Sequence, residues 1–401
     1  MTEEQAKPPK SRRTHRKSRK GCSICKQRRI KCDETHPQCG NCVIGERLCS
    51  YLELTPSQGV VTRGRYAFGV ADDAASKQTG GRGSGSVQHG GGTADGHAVG
   101  SGTTYAALHM VLLHHAECKM AEYMALEGGI TPIIDAAVDN ALAAPYLLDQ
   151  VLALSALHLS TQDPATASLY HRHATELQTR ALGLFNQIRG EICDSNYLPT
   201  FLFATLLGIH VLRDTLANHH HTISEFVGAF VDYVRLHRGV RAVTSMYWKL
   251  ILQSELRPLL YITDYTAGVD KQTPGTETEK VCRFMDTSDV VSSSKAACLE
   301  ALKWIQWVLD TAAIEPSRID LGVHATMAWP LVIPDEFVEA LYQHRPEALV
   351  VLAHYAAIMH HYRRYWVFGS AGSTIIQSIT LHVGPFWADA LTWPQGVLSV
   401  D

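Results

Sequence analysis

The sequence lacks the long apolar segments that are typical of membrane proteins. No run reaches the ~18 uninterrupted apolar residues that a membrane-spanning helix needs, and the best candidate, residues 198–212, contains His210. Residues 1–20 are polar and basic, without the apolar core of a secretory signal. These absences predict an intracellular protein without a membrane span, where metal thiolates are normal and disulfides are rare.

Sequence motifs of common enzymes are also absent. The chain contains no H-E-x-x-H, G-x-S-x-G or P-loop sequence. It does contain 21 histidines, but adjacent ones such as His114 and His115 point to different faces of a helix and bind one metal poorly. The histidines are therefore expected to be structural or surface residues, and the chain is not predicted to be an enzyme.

Heptad repeats and strand patterns are scarce as well. Positions 50–100 contain Pro56 and many glycines but no sustained apolar a and d positions, which argues against a coiled coil there. Alternation of apolar and polar residues, the signal of strands, is rare. A homodimer would therefore have to form through the region that follows, and a monomer is the alternative.

What the sequence does have is an uneven charge distribution. Residues 1–50 contain 13 Lys and Arg against 5 Asp and Glu, whereas the remainder contains 23 against 34. This asymmetry predicts a basic arm that meets a polyanion, attached to an acidic globular body. The basic run at residues 10–20 also has the composition of a nuclear-import patch, so the expected location is the nucleus.

Six of the ten cysteines lie in one short segment with the spacing C-x2-C-x6-C-x6-C-x2-C-x6-C. A C-x2-C pair brings two sulfurs to one side of a turn, where they can bind a tetrahedral zinc ion. Two zinc ions need eight ligand places, so six sulfurs suffice only if two of them bridge, and the repeat favours the first cysteine of each half. The predicted zinc ligands are Cys22, Cys25, Cys32, Cys39, Cys42 and Cys49.

Two alternatives remain for this segment. One is a disulfide framework, which the intracellular context opposes, and the other is a single zinc ion with two spare thiols. The remaining cysteines are isolated from one another and are predicted to be buried apolar side chains. They are Cys118, Cys193, Cys282 and Cys298.

The two halves of the cysteine repeat differ in charge. The stretch between Cys25 and Cys32 is strongly basic, whereas its equivalent, residues 43–48, is nearly neutral, so the first half is expected to face DNA. Arg and Lys in this stretch can donate to guanine in the major groove, and basic residues before Cys22 are expected to contact phosphates. The predicted DNA-binding residues are Arg16, Lys17, Arg19, Lys20, Lys26, Arg28, Arg29 and Lys31.

The cysteine segment resembles the fungal zinc binuclear-cluster family typified by the yeast galactose-pathway activator. The stretches GCSICKQRRIKCDE and PQCGNC carry this resemblance, and all six cysteine positions match. The resemblance implies two zinc ions per chain bridged by Cys22 and Cys39. It also implies that Arg29, with Arg28 beside it, faces base edges, and that the site read is a CGG-like triplet.

A closer resemblance is to the sterol uptake control branch of this family. It implies a DNA-binding regulator of RNA polymerase II transcription that recruits transcription machinery and controls a sterol or lipid pathway or a biosynthetic gene cluster. It further implies a helical domain that binds an apolar ligand such as a sterol, and a domain that serves only as a recruitment scaffold is the alternative. The resemblance is carried by residues 15–22, 31–34, 112–115, 152–159, 238–239 and 391–394.

The rest of the chain divides by composition. Residues 53–103 are rich in Gly, Ser and Thr and cannot bury enough apolar surface to order, so they are predicted to be a flexible linker. A nucleotide-binding glycine loop is the alternative, but it would need a preceding strand and a following helix, and neither is visible. From Tyr105 onward apolar residues recur at helical spacing, as at Leu112, Ala116 and Met120.

The predicted fold class is therefore mostly α, with four parts. A basic arm at residues 1–20 precedes a zinc binuclear-cluster module at residues 21–52. The linker then leads to a large all-α regulatory domain at residues 104–401. Its apolar helix faces can form a plain core or line a ligand pocket.

Overall fold

The computed structural model describes two units of the chain, Met1–Gly69 and Val70–Asp401. The division falls inside the predicted linker, and the predicted domain bounds stay predictions. About three quarters of the described residues are helical and none of them lies in a strand, which confirms the mostly α fold class. The described residues are 22, 25, 26, 31–34, 39, 42, 105–127, 129–187, 191–218, 222–260, 275–287 and 292–399.

The described part of the second unit is built from α-helices and two short 3-10 turns, Arg257–Leu259 and Pro385–Trp387. In chain order the helices are α1 (Ala107–Tyr123), α2 (Thr131–Asp139), α3 (Pro145–Leu159), α4 (Ala167–Gln187), α5 (Tyr197–Ala217), α6 (Ile223–His237), α7 (Val240–Gln253), α8 (Glu279–Thr287), α9 (Ser292–Ile314), α10 (Ile319–Val332), α11 (Asp335–Tyr342), α12 (Pro346–His361), α13 (Ala371–Val383) and α14 (Thr392–Val397).

Local sequence signals explain where several helices begin. Pro145 and Pro346 are the first residues of α3 and α12, where a fixed φ and a missing N–H are tolerated. Thr222 caps α6, because its hydroxyl accepts a hydrogen bond from the N–H of Glu225 at 3.2 Å. These residues place helix starts at the positions that the sequence marks.

Two helices form the centre of the core. Nearly every residue of α3 and of α12 is buried, as expected for helices that are apolar on all sides. Helix α3 packs against α1, α2, α4 and α5, and α12 packs against α9, α13 and α14. Both belong to one continuous apolar cluster, so the helices of the second unit share a single core.

Helix α5 is long and apolar enough to cross a membrane, by length and composition alone. It has 21 residues, a mean hydropathy of 1.3 over its best window, and 61% of that window is buried inside the protein. It packs against α3, α6 and α7. This burial is typical of a core helix, and α5 is not evidence for a membrane span.

A buried ion pair links the first helices. The carboxylate of Asp149 in α3 is fully buried and accepts hydrogen bonds from Arg180 Nε at 2.6 Å and Nη2 at 2.5 Å. The hydroxyl of Tyr105 donates a third hydrogen bond to the same carboxylate at 2.9 Å. Asp149 therefore links α3 to α4 and to the segment that precedes α1.

Helices α12 and α13 approach each other closely at Gly372. A Cβ at this position would lie 2.5 Å from the carbonyl oxygen of Ala356 and 2.6 Å from the backbone nitrogen of His360. Both neighbours are backbone atoms and cannot rotate away. The absence of a side chain at Gly372 is therefore what lets α13 pack on the central helix.

The prediction that the isolated cysteines are buried is wrong for two of them. Cys298 is buried and Cys282 is partly buried, but Cys118 and Cys193 are exposed. Cys118 lies on α1 outside the face that Leu112 and Ala116 bury. Cys193 precedes α5, and its N–H donates to Asn196 Oδ1 at 2.8 Å. Cys118 is exposed because of its position around the axis of α1, and Cys193 is exposed because of the turn before α5. The apolar character of cysteine alone does not predict either exposure.

Candidate metal centre

Five of the six predicted zinc ligands are described, and their side chains converge. Cys22, Cys25, Cys32, Cys39 and Cys42 are each at most 3% exposed. The sulfur of Cys22 lies 3.7 Å from that of Cys39 and 3.7 Å from that of Cys42. The sulfurs of Cys25 and Cys39 are 3.6 Å apart. The sixth predicted ligand, Cys49, lies outside the described residues.

These distances fit a zinc site. Four sulfurs placed tetrahedrally at the usual Zn–S distance of about 2.3 Å are separated by about 3.8 Å, close to the observed 3.6 and 3.7 Å. A disulfide would need about 2.05 Å between sulfurs, and all of the described cysteines are free. The geometry therefore favours a metal cluster over the disulfide alternative.

Short turns position the sulfurs. The N–H of Lys26 donates to the carbonyl of Cys22 at 3.1 Å, and the N–H of Cys42 donates to the carbonyl of Cys39 at 2.9 Å. Each C-x2-C pair is thus held in one tight turn. Backbone N–H groups also point at sulfur, because Cys25 N donates to Cys22 Sγ at 3.3 Å and Cys22 N to Cys32 Sγ at 3.4 Å.

Burial of the cysteine sulfurs disfavours their thiolate forms unless a cation is bound between them. Desolvation raises the pKa of the Cys25 thiol to about 12 and raises the pKa of the Cys39 thiol well above its usual value. Thiolates at these positions are unfavourable unless a positive charge lies between them. A zinc ion held by these cysteines would supply that charge and favour their deprotonated form.

The metal-binding atoms form two overlapping groups. The sulfurs of Cys22, Cys25, Cys39 and Cys42 all lie within 4.8 Å of one another. A second group within the same limit contains Cys32, Asp33 and Cys39. Cys39 therefore belongs to both groups. Asp33 is not among the predicted ligands, because the cysteine spacing gives no signal for it.

Among the predicted DNA-binding residues, the structure describes Lys26 and Lys31. Both side chains are exposed, and the buried residues Cys25 and Cys32 lie directly beside them in the chain. Positive charge is therefore displayed next to the cluster. The remaining predicted DNA contacts lie outside the described residues and stay predictions. They are Arg16, Lys17, Arg19, Lys20, Arg28 and Arg29.

The helical unit contains a separate, mainly apolar cavity of about 330 Å³. It lies between α5, α6, α7 and α10, and the end of α1 and the Arg257–Leu259 turn complete its wall. Its volume is near the lower end of the ~300–1,000 Å³ typical of small-molecule sites. Apolar residues that line it include Phe201, Leu206, Ile209, Val240, Trp248 and Leu331.

The buried histidine His237 is part of the wall of this cavity. His237 is 7% exposed, and its Nδ1 has no hydrogen-bond partner among the described residues. Burial lowers the pKa of His237 to about 4, so the ring is neutral near pH 7. Its ring stacks on Tyr233 with centroids 5.5 Å apart. Gly208 makes room for it, because a Cβ at this position would overlap the imidazole.

Comparison with known proteins agrees with the cluster. Residues 20–58 match the family model of the fungal Zn(2)-Cys(6) binuclear cluster domain. A Zn(2)-C6 fungal-type transcription factor of Gibberella zeae is 23% identical over 98% of this chain and 88% of its own. The Zn(2)-C6 fungal-type transcription factor afumD of Aspergillus fumigatus is 25% identical over 86% of each chain.

A shorter match concerns the sterol branch. Sterol uptake control protein 2 of Candida albicans is 58% identical to this chain, over 10% of this chain and 6% of the relative. The cluster, the helical unit and these relatives define a DNA-binding transcription regulator. Residues 20–58 carry the fungal Zn(2)-Cys(6) cluster domain, and along most of its length the chain is similar to transcription factors of that type. Its relatives are named as transcription factors, which is consistent with a protein that is not an enzyme.

Proposed function

We propose that the six cysteines hold two zinc ions, that Cys22 and Cys39 bridge them, and that the resulting module reads a CGG-like triplet in the nucleus. The observation that carries this proposal is the pattern of sulfur contacts across the two halves. Cys22 of the first half contacts Cys39 and Cys42 of the second, and Cys39 contacts Cys22 and Cys25 of the first. Sulfurs at the centre of such a cluster are the ones placed to bridge.

The basic stretch between Cys25 and Cys32 supplies the DNA contacts in this proposal. Bound zinc would fix the turn that begins at Cys25, and the chain then presents Lys26, Arg28 and Arg29 to the major groove. Arg can donate two hydrogen bonds to guanine O6 and N7, which identifies the base. Arg16 and the basic residues near it contact phosphates, which add affinity without sequence information.

Replacing Arg29 by alanine distinguishes recognition of bases from sequence-independent binding to the DNA backbone. We expect Arg29→Ala to weaken binding to the preferred triplet by about 1–3 kcal/mol and to leave binding to random DNA nearly unchanged. Arg16→Ala is the matched control. It should weaken binding to both kinds of DNA and reduce the slope of log K against log salt by about 0.9, the value of one phosphate contact.

Fluorescence anisotropy titrations at several salt concentrations measure both quantities. The sites themselves come from selection among random duplexes, which also gives the half-site spacing and thereby shows whether a monomer or a dimer binds. Equal losses on specific and random DNA for Arg29→Ala would remove this residue from base reading. Binding sites without a common triplet would remove the triplet from the proposal.

A second candidate function concerns the helical unit, which we propose as a sensor for an apolar ligand such as a sterol. The specific observation is the mainly apolar cavity, whose lining also includes the polar side chains of Tyr233 and His237. A molecule with an apolar body would fill this space and be removed from water by its walls. Binding would shift the helical unit between two states of activity. Such control suits a sterol or lipid pathway or a biosynthetic gene cluster.

Filling the cavity from the protein side tests the sensor. Ala328 lines the cavity, and we expect Ala328→Trp to weaken binding of a fluorescent sterol to the full-length protein at least tenfold. DNA binding should persist, because the zinc module does not depend on the cavity. Leu142→Trp is the control, since Leu142 is 99% exposed. Equal sterol binding by both variants, or none by the unchanged protein, would favour the alternative of a recruitment scaffold.

A further inference from the structure

A second cleft in the helical unit has a different chemical character from the apolar cavity. It has a volume of about 460 Å³ and lies where the end of α5 and the start of α6 meet the turn between α12 and α13. An arginine, Arg213, lines it together with apolar side chains and hydroxyl groups. No Asp or Glu occurs among the described residues that line it.

Arg213 is the chemical centre of this cleft. It is partly buried, and among the residues that the structure describes it forms no hydrogen bond or ion pair. No ion pair joins Arg213 to the neighbouring Asp214, although the charge of Asp214 offsets part of the desolvation of Arg213. Desolvation lowers the pKa of the Arg213 guanidinium. A partly desolvated cation without a partner is unfavourable, and a bound anion would remove that penalty.

The other lining residues narrow the class of anion. Phe226, Phe368 and Ile375 form an apolar wall, and all three are buried. Such a wall gains nothing from a fully hydrated inorganic ion but does gain from a hydrocarbon body. The hydroxyls of Ser370 and Ser378 also line the cleft and can donate to oxygen. Arginine matches the two oxygens of a carboxylate with two parallel hydrogen bonds.

We propose that this cleft binds a small organic carboxylate, held by Arg213 with its hydrocarbon part against Phe226 and Phe368. The ligand would connect α5, α6 and α13. This inference goes beyond the DNA-reading module and beyond the apolar cavity, because it uses neither the cysteines nor His237. It adds an anionic metabolite to the signals that the helical unit can receive.

Isothermal titration calorimetry on the zinc-loaded, full-length protein tests the proposal with three probes. They are 3-phenylpropionate, its neutral amide and inorganic phosphate. We expect the carboxylate to bind at least tenfold more tightly than the amide, because the amide lacks the charge that Arg213 pairs with. It should also bind more tightly than phosphate, which cannot use the apolar wall. Equal affinity of the carboxylate and the amide, equal affinity of the carboxylate and phosphate, or no carboxylate binding at millimolar concentration would overturn the proposal.

Variants then assign the binding to this cleft. Arg213→Gln should weaken binding of the carboxylate at least tenfold, whereas Arg364→Gln, at an exposed arginine outside the cleft, should leave it unchanged. Ser378→Leu narrows the cleft from α13 and should also weaken binding, which keeps the test decisive if Arg213→Gln does not fold. Circular dichroism and DNA titration establish folding. Unchanged carboxylate binding in folded Arg213→Gln or in Ser378→Leu would place the ligand elsewhere and refute the assignment.

Discussion

Replacing Cys39 by serine is expected to remove both zinc ions and sequence-specific DNA binding together. Cys39 belongs to both groups of metal-binding atoms, so in the proposed arrangement each ion loses a ligand. Structural zinc in small domains contributes about 10–16 kcal/mol of binding free energy, which is also the free energy that folds them. We therefore expect zinc content to fall from two ions per chain to none and specific affinity to fall to the level of random DNA.

Zinc content is measured by inductively coupled plasma mass spectrometry and DNA affinity by fluorescence anisotropy. Cys25→Ser is the informative comparison, because Cys25 would bind a single ion and its loss should leave the other ion more weakly held. Cys118→Ser is the control, since this thiol is exposed and lies on α1. Two zinc ions retained in Cys39→Ser would refute the bridging role. One zinc ion in the unchanged protein would support the single-ion alternative.

The cluster could be predicted from the sequence because its information is local. The C-x2-C pairs bring sulfurs together within single turns, as the contacts Lys26 N to Cys22 O and Cys42 N to Cys39 O show. The approach of Asp33 to Cys32 and Cys39 could not be predicted in the same way. It depends on the path of the chain after Cys32, where Glu34 adopts a φ of 58°, and ligand spacing carries no such information.

The helical fold was predictable where one face of a helix is buried and the other is solvated. In α1 the residues Leu112, Ala116 and Met120 follow this pattern and are buried. The central helices α3 and α12 are apolar on nearly all sides, so their periodicity is weak and their central position is visible only in the structure. The same limit applies to Cys193, whose exposure is set by the turn before α5.

The cavity and the cleft could not be predicted from the sequence, because the residues that line them come from helices that are far apart in the chain. The space for the His237 ring exists because Gly208, on another helix, has no side chain, and nothing in the sequence near His237 indicates this. Arg213 likewise lies in a helix whose apolar pattern predicts only core. Only the fold shows that Arg213 lies beside the turn between α12 and α13 and lines a cleft with it.

The largest effect on the stability of the helical unit is expected at the buried carboxylate of Asp149. Replacing Arg180 by methionine keeps most of the aliphatic volume but removes two of the three hydrogen bonds that Asp149 accepts. The carboxylate is 0% exposed, so it would be left as a buried charge with the Tyr105 hydroxyl as its remaining partner. Breaking such a pair on one side lowers the free energy of unfolding by about 3–5 kcal/mol.

Urea unfolding followed by circular dichroism measures this loss. Arg172→Met is the matched control on the same helix. Arg172 is exposed, and its Nε lies 3.8 Å from Glu176 Oε1. Exposed pairs of this kind contribute about 0–1 kcal/mol to the free energy of unfolding. Adding Asp149→Leu to Arg180→Met should recover part of the lost stability, because the double variant no longer buries an unpaired charge. If Arg180→Met were no more destabilising than Arg172→Met, the pair would not be what holds α3 and α4 together. The apolar packing of α3 against α4 would then have to account for their attachment.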